Sequence, residues 1–377
     1  MKIRICMVLT LIATSFTIMN ATAADCSSVS VGKCSQKLST GITMKYVETG
    51  PKSGPNVILL HGLTDSVRSW NLGMKELAKV NPKLHIYALD QRGHGDTSLP
   101  TGPTCKSNPA SCYELNLMAA DVIAFMDSKN IKTAIVAGHS MGSLVTQELA
   151  LRYPTRISKA VLIATTPKLK GNTVASGWLL DTVINGTWGV AFTKKGIKWP
   201  EGAALMTPLE VDPKAVEWMA ANWDVDAFAP TDHVSQISKE TAKVKMQTWV
   251  GATTALTHQD NIARLKDLKV PTLVLWGTQD SFFYKSEQDL LLKSLKVASG
   301  NGLKYCWKQY GTRPLDKSGY QTDDLGHNLQ WEAPAMIAAD INSFIASSKP
   351  TSDAVWVKSA KDTSLVVTKG KATVICS

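Results

Sequence analysis

Thr133-Ala134-Ile135-Val136-Ala137-Gly138-His139-Ser140-Met141-Gly142 decides the reading of this chain. An apolar, partly β-branched run ends in Gly-X-Ser-X-Gly, and residues 142–153 then carry helical spacing. Strand, sharp turn and helix in that order form a nucleophile elbow. The turn holds a serine at its tip with strained backbone angles, and the flanking glycines leave room that side chains would fill. Ser140 is therefore the expected nucleophile.

A serine hydroxyl is a poor nucleophile near neutral pH and needs a histidine base, itself oriented by a carboxylate. Chains with this elbow order the three as Ser, acid, His. Downstream, the strand-like run 272–276 leads into Gly277-Thr278-Gln279-Asp280. Asp280 thus falls at the C-terminal end of a strand, where open α/β sheets gather functional groups. After the next strand comes Leu325-Gly326-His327-Asn328, which makes His327 the expected base. Thr165-Thr166-Pro167, at the end of the preceding strand, offers no carboxylate, whereas Asp323 and Asp324 lie close to His327 and rival Asp280. Two backbone N–H groups must also hold the oxyanion. Met141 supplies one at its helix start, and Leu63, in the turn His61-Gly62-Leu63, is expected to supply the other.

Outward from the elbow, strands are expected at residues 44–48, 57–61, 85–90, 134–137, 160–164, 272–276 and 303–309. Helices are expected at 66–80 with Asp65 as cap, and at 113–129, 142–153, 286–296 and 334–346. The alternation implies a mostly parallel sheet flanked by helices. It breaks between residues 164 and 272, an interval far longer than a crossover needs. Residues 168–254 hold Trp178, Trp188, Trp199, Trp218, Trp223 and Trp249, and are read as an inserted helical lid whose aromatics pack on the core and cover a cleft.

With these motifs in place the chain resembles the α/β-hydrolase superfamily, and within it the lid-bearing esterases and monoglyceride-lipase-like enzymes. The likeness runs from Met44 to Phe344 and includes Asp90-Gln91-Arg92-Gly93-His94-Gly95, the elbow, Trp276-Gly277-Thr278-Gln279-Asp280, and Gly326-His327 with Glu332 and Pro334 behind it. It implies the α/β-hydrolase fold and the same triad, Ser140, Asp280 and His327. Three departures stand out: Thr64 where many relatives carry proline, a long loop from Gly311 to Asp324, and a tail after Ser347. The expected substrate is a small carboxylic ester with an apolar acyl or aromatic part, hydrolysed with no cofactor and no metal; the alternatives are a lactonase, an amidase or peptidase or a C–C bond hydrolase on the same triad, or a non-catalytic binding protein of the same fold. His61 is read as bracing its turn, His94 as part of a structural loop, and His139, beside the nucleophile, as packing or hydrogen-bonding.

The first residues place Lys2 and Arg4 before an apolar run, then Ala21, Ala23 and Ala24, the layout of a secretory signal peptide. The expected division is a signal at 1–24, core at 25–167 and 255–347, the lid at 168–254 and a tail at 348–377, with the mature protein periplasmic or secreted and without a stable membrane anchor. Six cysteines then remain: Cys26, Cys34, Cys105, Cys112, Cys306 and Cys376. In an exported chain they read as disulfides. Nearness along the chain favours Cys26 with Cys34 and Cys105 with Cys112, which leaves Cys306 with Cys376, a closure worth about 4 kcal/mol. The net charge of +10 is spread over scattered residues without a basic run interleaved with aromatics, so no nucleic-acid partner is expected.

Overall fold

The computed structural model describes residues 25–223, 228–311, 325–357 and 367–377. Residues 1–24, expected to be a signal, and residues 312–324 of the long loop, with Asp323 and Asp324 among them, lie outside the described residues. Eleven strands are present among the described residues: β1 (Cys34–Lys37), β2 (Thr43–Thr49), β3 (Asn56–Leu60), β4 (His85–Leu89), β5 (Ala134–His139), β6 (Ile157–Ile163), β7 (Thr272–Gly277), β8 (Tyr305–Tyr310), β9 (Asp353–Val357), β10 (Val367–Lys371) and β11 (Thr373–Cys376). Nine of them form one sheet, in the order β1-β2-β4-β3-β5-β6-β7-β8-β11. The stretch from β4 to β8 is parallel, while β1 and β2 on one side and β11 on the other join antiparallel.

The central strands read as unbroken apolar runs because both faces are covered. Val57, Ile58, Leu59 and Leu60 of β3 are all 0% exposed. The helices among the described residues are α1 (Asn71–Val80), α2 (Leu115–Ser128), α3 (Met141–Arg152), α4 (Val190–Lys194), α5 (Ala215–Asn222), α6 (Thr231–Thr241), α7 (Met246–Thr257), α8 (Lys285–Gly300), α9 (Leu329–Glu332) and α10 (Pro334–Ser347). Of these, α1 packs against α10, and α3 lies on β5 and β6. Between β6 and β7 stand α4 to α7 and a π-helical stretch, Val174–Gly189.

The seven expected strands are β2 to β8. The helix expected at 66–80 opens instead with a 3-10 turn, Val67–Trp70, and the Asp65 cap is corrected: Ser66 Oγ accepts the Arg68 N–H at 3.1 Å. Asp65 turns inward, as described below. Three disulfides join Cys26 to Cys34, Cys105 to Cys112 and Cys306 to Cys376. In the third, Cys376 of β11 lies directly across from Cys306 of β8.

The start of the tail is held by a buried charge. Lys308 Nζ donates to both oxygens of Asp340, at 2.8 and 2.7 Å, and to Thr351 Oγ1 at 3.0 Å. Tyr310 donates its hydroxyl proton to the same carboxylate, and the Thr351 N–H reaches it at 2.8 Å. Both charged side chains are 0% exposed. Removing one member of such a pair leaves the other charge buried and uncompensated, at a cost of about 3–5 kcal/mol. Lys308→Ala is therefore expected to lower unfolding stability by about that much in urea titration. A loss below about 1 kcal/mol would show that water reaches Asp340 and that the pair is not the anchor it looks like.

Candidate active site

The elbow forms where β5 runs into α3. Ser140 sits at φ 51° and ψ −118°, a sparsely populated conformation that costs about 1–3 kcal/mol and needs support from its surroundings. That support is specific: the Ser140 N–H donates to Ile163 O at 3.0 Å, and Ser143 Oγ donates to Ser140 O at 2.6 Å. Gly142 lets the helix begin hard against β3, since a Cβ there would stand 2.4 Å from Leu60 O.

Asp280 follows β7 and is 0% exposed. Its Oδ1 accepts three hydrogen bonds: from His327 Nδ1 at 2.8 Å, and from the N–H groups of Phe282 and Phe283 at 2.9 Å each. The two backbone donors fix the carboxylate before it meets the imidazole. Phe282 and Phe283 also flank the His327 ring, at centroid distances of 5.0 and 5.5 Å. With Nδ1 donating to Asp280, the neutral ring keeps its lone pair on Nε2.

Ser140, His327, Leu63 and Met141 line one cavity with about 600 Å³ of empty space. Met141 is the first residue of α3, where an N–H has no carbonyl partner within its own helix. The turn containing Leu63 is braced from outside the sheet. Thr64, at φ 63°, donates its hydroxyl proton to Leu63 O at 2.6 Å, and Trp223 Nε1 donates to Thr64 Oγ1 at 3.0 Å. A second tie runs from Ser66 Oγ and Arg68 Nε to Glu240 of α6, at 2.6 Å each. The inserted segment thus holds the turn through side chains that a proline at position 64 would not provide.

Much of the cavity lining is apolar, with Leu169, Ala175, Leu179, Trp223, Leu256 and Phe282 contributing to it. Behind Trp223, the rings of Trp249, Trp188, Trp218 and Trp178 continue in contact, with neighbouring centroids 5.1 to 6.2 Å apart. Trp199 is separate and stacks on Phe192.

The other histidines take supporting places. His61 donates from Nδ1 to Gly62 O at 2.7 Å and accepts the Gln91 N–H at Nε2, at 3.0 Å; burial holds it well below the usual histidine range. His94 donates to Arg92 O at 2.8 Å and is pushed down to about 4 by burial. His139 donates from Nε2 to His327 O at 3.1 Å, with the two rings edge to face at 5.0 Å. Asp65, read from the sequence as a helix cap, lines the cavity instead; it is 6% exposed, and burial raises its carboxyl to about 7.

Comparison with known proteins places the chain among hydrolases of this fold. The chain is 25% identical over 241 residues to the 3-oxoadipate enol-lactonase 2 of Acinetobacter baylyi, a match spanning 63% of this chain and 76% of that one. It is 31% identical over 151 residues to the bifunctional epoxide hydrolase 2 of Sus scrofa, spanning 40% of this chain and only 25% of that longer protein. Among solved structures, a hydrolase from Pseudomonas aeruginosa PA01 superposes with a TM-score of 0.58 at 21% identity, covering 84% of this chain and 98% of that one. The family model described as serine aminopeptidase, S33 matches residues 51–305, a range that contains Ser140 and Asp280 and ends before His327. With two thirds of its length under that match, on this sheet and with this elbow, the chain belongs to the serine aminopeptidase S33 family of the α/β-hydrolase superfamily and is a hydrolase.

Proposed function

We propose that the protein hydrolyses carboxylic esters by forming an acyl-enzyme at Ser140. The observation that carries this reading is the 2.8 Å hydrogen bond from His327 to Asp280 beside a cavity that Ser140 also lines. His327 Nε2 takes the hydroxyl proton as Ser140 Oγ attacks the ester carbonyl carbon, and Asp280 stabilises the imidazolium that results. The N–H groups of Leu63 and Met141 hold the negative oxygen. As the tetrahedral species collapses, His327 returns the proton to the departing alkoxide. Water then attacks the acyl-enzyme with His327 again as base, and the free acid leaves.

The apolar wall supports a substrate with an apolar acyl or aromatic part, and the segment 168–254 is proposed to act as the lid over it. The enol-lactonase relative favours one second reading, a lactone, which is an ester whose alcohol stays tethered to the acyl group. An epoxide route through a nucleophilic aspartate is disfavoured because position 140 holds serine. Export belongs to the same proposal, supported by the N-terminal layout and by three disulfides, which persist in oxidising compartments.

A fluorophosphonate probe tests the reading directly. One adduct is expected, on the tryptic peptide containing Ser140, together with loss of p-nitrophenyl butanoate turnover. Full turnover with Ser140 unmodified after prolonged exposure would overturn it. A panel of open-chain esters and five- and six-membered lactones then separates the two substrate classes.

A further inference from the structure

The cavity has a polar corner that the hydrolytic steps do not use. Two acceptors meet there. The Asp65 carboxyl has the Ser69 hydroxyl and the Gly62 N–H as neighbours that favour its charged form. Ser69 Oγ itself accepts from Trp331 Nε1 at 3.1 Å and from Gln330 Nε2 at 3.2 Å, so its own proton is free to turn toward Asp65. A carboxylate has about four acceptor positions, more than these two neighbours could fill.

His139 stands beside it. A carbonyl oxygen only accepts, so the bond to His327 O places the His139 proton on Nε2 and a lone pair on Nδ1. Burial, reinforced by His327, holds His139 well below the usual histidine range and keeps it neutral. The residue is 1% exposed and lines the cavity, and among the described residues its Nδ1 has no hydrogen-bond partner. Buried polar atoms are rarely left in that state without a role. Gly62 explains how both acceptors border the same space: a Cβ there would stand 3.1 Å from Asp65 Oδ2 and 3.1 Å from His139 Nδ1.

We propose that Asp65 and His139 form a specificity subsite within the catalytic cavity, accepting a hydrogen bond from a hydroxyl group that the substrate carries near its scissile carbonyl. The inference rests on the ester-hydrolase reading and narrows its substrates to hydroxy-esters. Two acceptors call for a donor, and a neutral donor fits better than a cation. Burial is the largest influence on Asp65, raising its carboxyl to about 7, while the Ser69 hydrogen bond, the charge of His327 and the Gly62 N–H oppose the rise and Glu240 adds to it. Near neutrality Asp65 is thus only partly ionised, and an ammonium group would lack its counter-ion in the remaining molecules. A hydroxyl pairs with either form, and more strongly with the carboxylate.

The pH dependence follows. Preference for the hydroxylated substrate grows as Asp65 ionises, so it rises with pH through about 7. Of the groups facing Asp65, burial keeps His139 neutral, Glu240 acts on both substrates alike, and His327 serves every ester in the same role, so its effect cancels in a ratio of two substrates.

The test measures kcat/KM for two pairs in which a methyl group replaces a hydroxyl: p-nitrophenyl 3-hydroxybutanoate against 3-methylbutanoate, and 2-hydroxyethyl butanoate against propyl butanoate. In at least one pair the hydroxylated member is expected to be favoured about tenfold near pH 8, with the advantage shrinking several-fold near pH 6. Asp65→Asn is expected to cut the preference about tenfold and to flatten its pH profile. Ratios near one in both pairs for the wild-type protein, or a preference that Asp65→Asn retains in full, overturn the subsite while ester hydrolysis stands. Absence of turnover on all four esters overturns the underlying reading and the subsite with it. Should Asp65→Asn fail to fold, the wild-type ratios and their pH profile decide the matter alone.

Discussion

Ser140→Ala is expected to lower kcat for p-nitrophenyl butanoate by about 10⁴- to 10⁶-fold. The loss is this large because the hydroxyl is the only atom of the proposed machinery that bonds covalently to the acyl group. What remains is the oxyanion donors acting on water, a residual acceleration of about 10³-fold. The fold is expected to persist. The elbow is held through backbone groups, Ser140 N–H to Ile163 O and Ser143 Oγ to Ser140 O, and alanine keeps both. Near-UV circular dichroism of the variant should match the parent while turnover vanishes. Activity within tenfold of the parent would exclude Ser140 as nucleophile.

Asp280 gives the second large effect. Asp280→Ala removes the acceptor of the His327 Nδ1 proton and strands the Phe282 and Phe283 N–H groups, so kcat is expected to fall about 10⁴-fold. Asp280→Asn should cost about as much, because the amide no longer stabilises the imidazolium and lets the imidazole settle in the wrong tautomer. Single-turnover kinetics of the two variants check this. Losses below about tenfold, or a larger loss on replacing Asp323 or Asp324, would assign the orienting role elsewhere.

The elbow and the parallel strands were legible in the sequence because each is a local pattern. Val57 to Leu60 must be apolar throughout to sit between two helical layers, and that composition shows without any knowledge of neighbours. The edge strands were not legible for the opposite reason. Residues 34–37 and 373–376 are four apiece, largely exposed, and become strands only because β2 and β8 offer them a partner. The reading of Asp65 failed on a similar point. An aspartate before a helical pattern is a fair cap, yet Ser66 takes that place, and what surrounds Asp65 comes from distant segments: His139 at the end of β5, His327 near the far end. Thr64 shows the same limit. It reads as a departure from proline, and its purpose appears only once Trp223 is seen to reach it from the insertion. His139 was read only as a supporting residue, and no sequence pattern reports a lone pair left without a partner.

The sulfur bridge between Cys376 and Cys306 has a consequence for how molecules of this protein meet one another. β8 would otherwise close the sheet with a bare row of N–H and C=O groups, an invitation for a strand of a second molecule to continue the ladder. The last residues of the chain occupy that row, and the bridge keeps them there. A reducing solution would thus let the terminal strand peel away, and the first symptom would be turbidity rather than lost catalysis.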